Sequence, residues 1–276
     1  MTVNGMVPPF DLGRYKATVF DLDGTVWLSG EPIPGARELL DRCRSQGSSV
    51  VFATNAIIRS PEQLSAELVA CGLALPDEPV VTAGTVIVHT VLAARVSEVV
   101  TVAPPALHAQ LSAAGIEVIP AEHADVDDWS EPAPDRALVM ASSRAATIGA
   151  IEVVGRLAAA GRPLFLSSRD PGFPIKNGME PGGGMLLAAA RALYEFEPTL
   201  VGKPSQYYAD TVADVVGPGV GPIAVFGDSQ RSDIGIAHLL GADGVLVTGR
   251  SVAPVTPDLP APTYVTPSLS NEPVPA

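Results

Sequence analysis

The sequence predicts an α/β fold carried by parallel sheets, on three observations. Short apolar runs alternate with helix-patterned segments along most of the chain, the order expected when each strand returns through a helix. Apolar residues make up 47% and charged residues 17%, enough to fill a buried core and too apolar for a disordered chain. Several apolar runs end abruptly on Asp, Asn or Gly, as strands do where they open into loops. At roughly 150 residues per domain, 276 residues imply just under two domains.

The elements follow in order. Residues 17–22 form an apolar run ending on a carboxylate and meeting Gly24, which reads as a buried strand opening into a turn. Residues 34–46 read as a helix started by Pro34, with Leu39, Leu40 and Cys43 on one face and Gly47 at its end. Val50 to Ala53 is a second buried strand, followed at once by Thr54 and Asn55. Pro61 opens a helix through Leu64, Leu68 and Val69 that closes at Gly72.

The middle repeats the alternation: strand 99–103, helix 106–114, strand 116–119, an acidic loop 121–134, strand 138–141, helix 148–160 and strand 163–167. A Gly/Pro-rich loop, 171–184, leads into an Ala/Leu-rich helix at 185–194. Strand 199–201 ends at Gly202-Lys203-Pro204, and a helix follows near 206–216. Strand 223–226 ends at Gly227-Asp228, and a helix near 233–240 precedes strand 244–247. Within the proline-rich tail, Tyr264-Val265 supplies one edge strand, where Pro is tolerated. No repeat of solenoid period is present.

Composition narrows the function. Thirty acidic against seventeen basic residues give a formal charge of −13, which repels nucleic acid and anionic lipid. A small anionic substrate remains compatible if the site itself is locally positive, through a metal ion, a lysine or aimed backbone N–H groups. No run reaches the roughly 18 apolar residues of a membrane span, and the first residues lack a secretory pattern. Two cysteines, Cys43 and Cys71, are too few for a disulfide framework and point to a reducing cytoplasm. The expectation is a soluble cytoplasmic protein.

Four polar groups follow apolar strands: Asp21/Asp23, Thr54/Asn55, Lys203, and Asp228 with Asp233. If those strands are parallel neighbours, all four converge outside their carboxyl ends, where open α/β sheets bind ligands. Clustered carboxylates repel one another unless a cation neutralises them, and oxygen ligands without His or Cys suit Mg²⁺. Asp21 can act as a nucleophile that forms an aspartyl-phosphate. Asp23, two residues on, could protonate the leaving oxygen and later deprotonate water. Thr54 and backbone N–H groups near Asn55 could hold phosphate oxygens, and Lys203 adds positive charge at the transferring group.

The set Asp21-x-Asp23-Gly24-Thr25, Thr54-Asn55, Gly202-Lys203-Pro204 and Gly227-Asp228-x-x-x-x-Asp233 resembles the haloacid dehalogenase superfamily. Ile33-Pro34-Gly35-Ala36, Pro181-Gly182-x-Gly184 and Gly202-Lys203-Pro204-Ser205 resemble its NagD-like subfamily IIA, which includes p-nitrophenyl and pyridoxal phosphate phosphatases. The likeness runs from about residue 17 to 269. It implies a Rossmann-like core at 1–96 and 188–276, with an inserted, mobile α/β cap of the C2 type at 97–187. It also implies Mg²⁺-dependent hydrolysis of small phosphate monoesters, with Mg²⁺ held by Asp21, the Asp23 backbone carbonyl and Asp228. Asp233 would be a further ligand or a partner acting through water. Compatible substrates are sugar phosphates, glycerol phosphates, phosphoglycolate, nucleotides and pyridoxal phosphate, and the likeness leaves a homodimer open.

The sequence departs from that family at three places. Ser167-Ser168-Arg169-Asp170 stands for Thr-Asn-x-Asp, Ala56 follows Asn55, and Ala141-Ser142-Ser143 stands for Gly-Leu-Asp. None touches the inferred nucleophile, acid, lysine or metal carboxylates, so the departures bear on substrate choice. Arg169, Asp170 and Lys176 lie on a loop that could face the substrate. The histidines 89, 108, 123 and 238 lack ligand-like spacing and read as structural. Two other classes compete with hydrolysis: a weakly catalytic module that senses a phosphorylated metabolite, and a phosphotransferase or mutase.

Overall fold

The computed structural model describes residues 8–129, 133–175, 178–249 and 256–276. The chain divides into two compact units. One holds the chain up to Thr54 together with Glu62–Val81 and Lys203–Ala276, and the other holds Asn55–Pro61 and Thr82–Gly202. The second unit contains all of 97–187 and extends beyond it on both sides. The reason is packing: helix Ala83–Ala93 lies on helix Pro105–Ala113, and helix Gly183–Arg191 lies on helix Ile148–Ala159.

The first unit is built on a seven-stranded sheet. Its order is Val274–Pro275, Tyr264–Thr266, Asp243–Val247, Ile223–Gly227, Ala17–Phe20, Ser49–Thr54 and Val80–Thr82. Ala17–Phe20 sits inside the sheet, parallel to neighbours on both sides, and every one of its residues is buried. That is why it reads as a continuous apolar run with no alternation. Phe20 stacks on Phe226, with ring centroids 4.8 Å apart, and Phe10 meets Phe226 edge-on at 6.1 Å. Such aromatic pairs add about 0.5–1.5 kcal/mol each beyond the area they bury. Tyr264–Thr266 is a strand but not the sheet edge, because Val274–Pro275 pairs antiparallel outside it.

The second unit has a five-stranded parallel sheet in the order Thr199–Leu200, Leu164–Leu166, Arg136–Met140, Glu98–Val102 and Glu117–Pro120. Its core gathers Val100, Trp129, Leu138, Met140, Val154, Leu157 and Leu186. Gly155 lets the two helices on this core approach closely, since a Cβ there would lie 3.2 Å from that of Ala190. The loop expected at 171–184 contains a hairpin, Gly172–Ile175 with Gly178–Pro181. A second short hairpin, Trp27–Leu28 with Glu31–Pro32, follows the first strand of the first unit.

His108 is structural, as its spacing suggests: a ring nitrogen lies 2.7 Å from the Thr101 hydroxyl. Burial pushes its pKa down, with the charge of Glu122 opposing. A histidine that resists protonation when folded costs stability as pH falls below its ordinary value of about 6.5. His108→Gln is therefore expected to lose less melting temperature than wild type between pH 7.5 and 5.5, as measured by thermal unfolding at both pH values.

Candidate active site

The sheet order of the first unit reverses between Ala17–Phe20 and Ile223–Gly227. From one strand the chain continues outward through Ser49–Thr54, and from the other through Asp243–Val247. The crevice beyond the carboxyl ends at such a reversal is the ligand position in open α/β sheets. Register brings the polar groups to it. Phe20 is level with both Phe226 and Phe52, so Asp21, Asp228 and Thr54 each leave the sheet within two residues of one line.

Asp21 is buried, and its backbone N–H still donates to the Phe226 carbonyl at 2.9 Å. Its Oδ1 accepts from Lys203 Nζ at 2.7 Å and its Oδ2 from the Thr25 hydroxyl at 3.1 Å. The chain then folds back on itself: the Leu22 carbonyl accepts from the amides of Thr25, Val26 and Trp27. This tight turn leaves Asp23 half-buried and requires Gly24, at φ +94°. A Cβ at Gly24 would also lie 2.3 Å from an Asp228 carboxylate oxygen. The Gly of the motif is thus explained by both backbone and space.

Lys203 is almost fully buried, and its ammonium spends three donors on Asp21 Oδ1, Asp233 Oδ1 and the Ala53 carbonyl, at 2.7, 2.7 and 2.8 Å. Burial alone would push its pKa down, but the carboxylates of Asp21 and Asp233 outweigh that and hold it above the ordinary lysine range. Asp233 sits in a π-helical turn, Gln230–Ile234, directly against Gly227. A Cβ at Gly227 would be 2.2 Å from Asp233, which explains that glycine. The second oxygen of Asp233 accepts the Ser229 amide at 3.0 Å. In the other unit, Gly202 meets a comparable limit, with a Cβ there falling 1.8 Å from the Ser167 carbonyl.

Asp21, Asp228 and Asp233 each offer a carboxylate oxygen, and these atoms all lie within 4.8 Å of one another. Burial, then the charges of Asp21 and Asp233, raise the Asp228 pKa to about 8. Burial also lifts Asp233 to about 6, with Lys203 opposing and Asp21 adding. One lysine cannot balance three carboxylates. A divalent cation with oxygen-seeking chemistry would, so the donor set fits Mg²⁺ or Ca²⁺.

Of the residues singled out from the sequence, Asp21, Lys203, Asp228 and Asp233 come together directly. Thr54 is buried at the end of its strand, next to the Ala53 carbonyl that Lys203 engages. Asn55 is the first residue of the second unit. Arg169 is exposed and paired with Glu197, while Asp170 accepts from the Ser168 hydroxyl at 2.9 Å. Lys176 lies outside the described residues. Thr25 gains a task that the sequence reading did not give it: its hydroxyl orients Asp21 across a four-residue turn. The Asp-x-x-x-Thr spacing was the available signal.

Residues 18–117 match the family model of haloacid dehalogenase-like hydrolases, and residues 200–271 match a second model of the same type. The 5′-nucleotidase YutF of Bacillus subtilis is 26% identical over 261 residues, covering 93% of this chain and 97% of its own. The sugar-phosphatase AraL of the same organism is 27% identical, covering 92% and 90%. Among solved structures, a glycerol phosphate phosphatase of Mycobacterium tuberculosis in complex with calcium superposes with a TM-score of 0.78 at 25% identity, over 94% of this chain and 75% of that one. Its magnesium complex superposes with a TM-score of 0.76.

Proposed function

The chain belongs to the haloacid dehalogenase-like hydrolases, and on that premise we propose that it is a Mg²⁺-dependent phosphatase of small phosphate monoesters. The observation that carries the reading is Asp21 itself: a buried carboxylate at the sheet reversal, fixed on both oxygens by Lys203 and Thr25. A purely binding site has no need of an oriented nucleophile. The similarity to enzymes named for nucleotides, sugar phosphates and glycerol phosphate supports a small phosphorylated metabolite as substrate.

The residues divide the work as follows. An oxygen of Asp21 attacks phosphorus, the bond from phosphorus to the ester oxygen breaks, and Asp23 gives that oxygen its proton. Water then attacks the aspartyl-phosphate, loses a proton to Asp23 and releases inorganic phosphate, restoring the Asp21 carboxylate. Lys203 stabilises the charge that builds on the phosphoryl oxygens, and Thr54 with the adjacent Asn55 binds them. Asp21, Asp228 and the Asp23 backbone carbonyl would hold Mg²⁺, which supplies electrostatic stabilisation of the phosphoryl group when bound. Asp233, with one oxygen on Lys203 and the other on the Ser229 amide, keeps the lysine in place. Free Cys43 and Cys71 support a reducing compartment such as the cytoplasm.

The test is phosphate release from a panel of sugar, glycerol, nucleotide and pyridoxal phosphates and phosphoglycolate, with Mg²⁺ and with EDTA. Release that requires Mg²⁺ is expected, and the ranking of esters identifies the substrate class. Absence of release from every ester by a folded, Mg²⁺-binding protein would favour a sensing module instead.

A further inference from the structure

Tyr208 is fully buried on helix Gln206–Val216, and its hydroxyl reaches two backbone carbonyls: Val81 at 2.8 Å and Thr54 at 3.0 Å. Neither contact belongs to packing, since a phenylalanine would fill the same space. The ladder between Ala17–Phe20 and Ser49–Thr54 ends at the pair Phe20 and Phe52. The next carbonyl on that side, Ala53, runs on past it, and that of Thr54 faces the other neighbouring strand, Val80–Thr82, as Phe52 does through its amide to the Pro79 carbonyl at 2.9 Å. Lys203 Nζ takes the first and the Tyr208 hydroxyl takes the second. Both donors come from one short stretch, whose helix start is fixed by the Ser205 hydroxyl accepting the Tyr208 amide at 3.1 Å. Burial holds the phenol above its ordinary range, so it keeps its proton.

We infer that Tyr208 is a positioning residue for phosphate recognition, holding the end of strand Ser49–Thr54 so that Thr54 stands in register with Asp21 and Lys203. This rests on the phosphatase reading, in which Thr54 binds phosphoryl oxygens. Lys203 sets the charge at that strand end, and Tyr208 sets the position of the residue beyond it. Loss of the hydroxyl removes the proton that the Thr54 and Val81 carbonyls share, and the strand end loses that tie to the helix. Binding of phosphate suffers, while the attack by Asp21 does not.

The experiment compares wild type, Tyr208→Phe, Thr54→Ala and the double variant in the full-length chain with Mg²⁺. One arm measures KM and kcat for p-nitrophenyl phosphate, and the other the rise in melting temperature produced by inorganic phosphate. Tyr208→Phe is expected to raise KM and weaken phosphate protection about three- to tenfold, the worth of one net hydrogen bond, with kcat held within about twofold. In the Thr54→Ala background it should add nothing further. An equal rise in both backgrounds, a fall in kcat at constant KM, or no change in either would overturn the inference. Should Tyr208→Phe fail to fold, 3-fluorotyrosine introduced at position 208 alone provides a stronger donor. KM then falls if the inference holds and stays unchanged if it does not. If wild type hydrolyses no ester, the phosphatase reading fails, while the phosphate-protection arm still judges Tyr208.

Discussion

Asp21→Asn is expected to reduce Mg²⁺-dependent turnover of p-nitrophenyl phosphate by about 10⁴ or more, the scale on which enzymes lose rate when the nucleophile is removed. The amide keeps the size of the carboxylate: its one oxygen can still accept from Lys203, and its NH2 can donate to the Thr25 hydroxyl, so the local structure persists. What disappears is the anionic oxygen that would bond to phosphorus. The fold should not suffer, because one of three mutually repelling carboxylates has gone. An unchanged or raised melting temperature together with lost turnover separates a chemical role from a structural one. Wild-type turnover in this variant would disprove the aspartyl-phosphate route.

Lys203→Met is expected to damage both rate and stability. Removing one partner of a buried ion pair costs about 3–5 kcal/mol, because the remaining charges lie buried and uncompensated. Here three carboxylates would be left facing one another. For a chain of this size the loss corresponds to a melting point lower by roughly 6–20 °C. Adding Asp233→Asn should recover much of that stability by removing one orphaned charge, with no recovery of turnover. A Lys203→Met variant as stable as wild type would show that the lysine is not balancing the cluster. Calorimetry and p-nitrophenyl phosphate kinetics on the two variants decide the matter.

The parts of the site that follow apolar strands were legible because a carboxylate at the end of a fully apolar run is a conspicuous break in pattern. Asp21 and Asp228 are of this kind. Lys203 carries no such signal, being one basic residue between a glycine and a proline, and its meaning came from its order among the other motifs. Thr25 as an orienting donor and Tyr208 as a strand anchor depend on register across the sheet, which spacing along the chain does not encode. The helix Ala83–Ala93 escaped for a different reason. Its buried positions, Ala83, Val86, Ile87, Thr90 and Val91, keep a helical spacing, but exposed Leu92 and half-exposed Val88 are apolar too and blur the stripe. Its β-branched content also argues against a helix by propensity alone. Thr82 caps it through the Thr85 amide at 3.0 Å, the one local signal of its start. The two hairpins are short enough that their strands look like loop.

The composition of the first unit from separated stretches of chain has a consequence for biosynthesis. Asp21 and the lysine that balances it lie 182 residues apart. At about 5–20 residues per second on the ribosome, the nascent carboxylate waits roughly 10–40 s for its counter-charge. During that interval four of the five strands of the second unit's sheet are made well before Lys203, and the fifth, Thr199–Leu200, just ahead of it. The strand Ala17–Phe20 meanwhile offers an unpaired apolar edge where Ile223–Gly227 will later dock, a surface on which newly made chains can pair with one another. The arrangement that concentrates catalytic groups at one sheet reversal thereby makes the last third of the chain the step that ends exposure to aggregation.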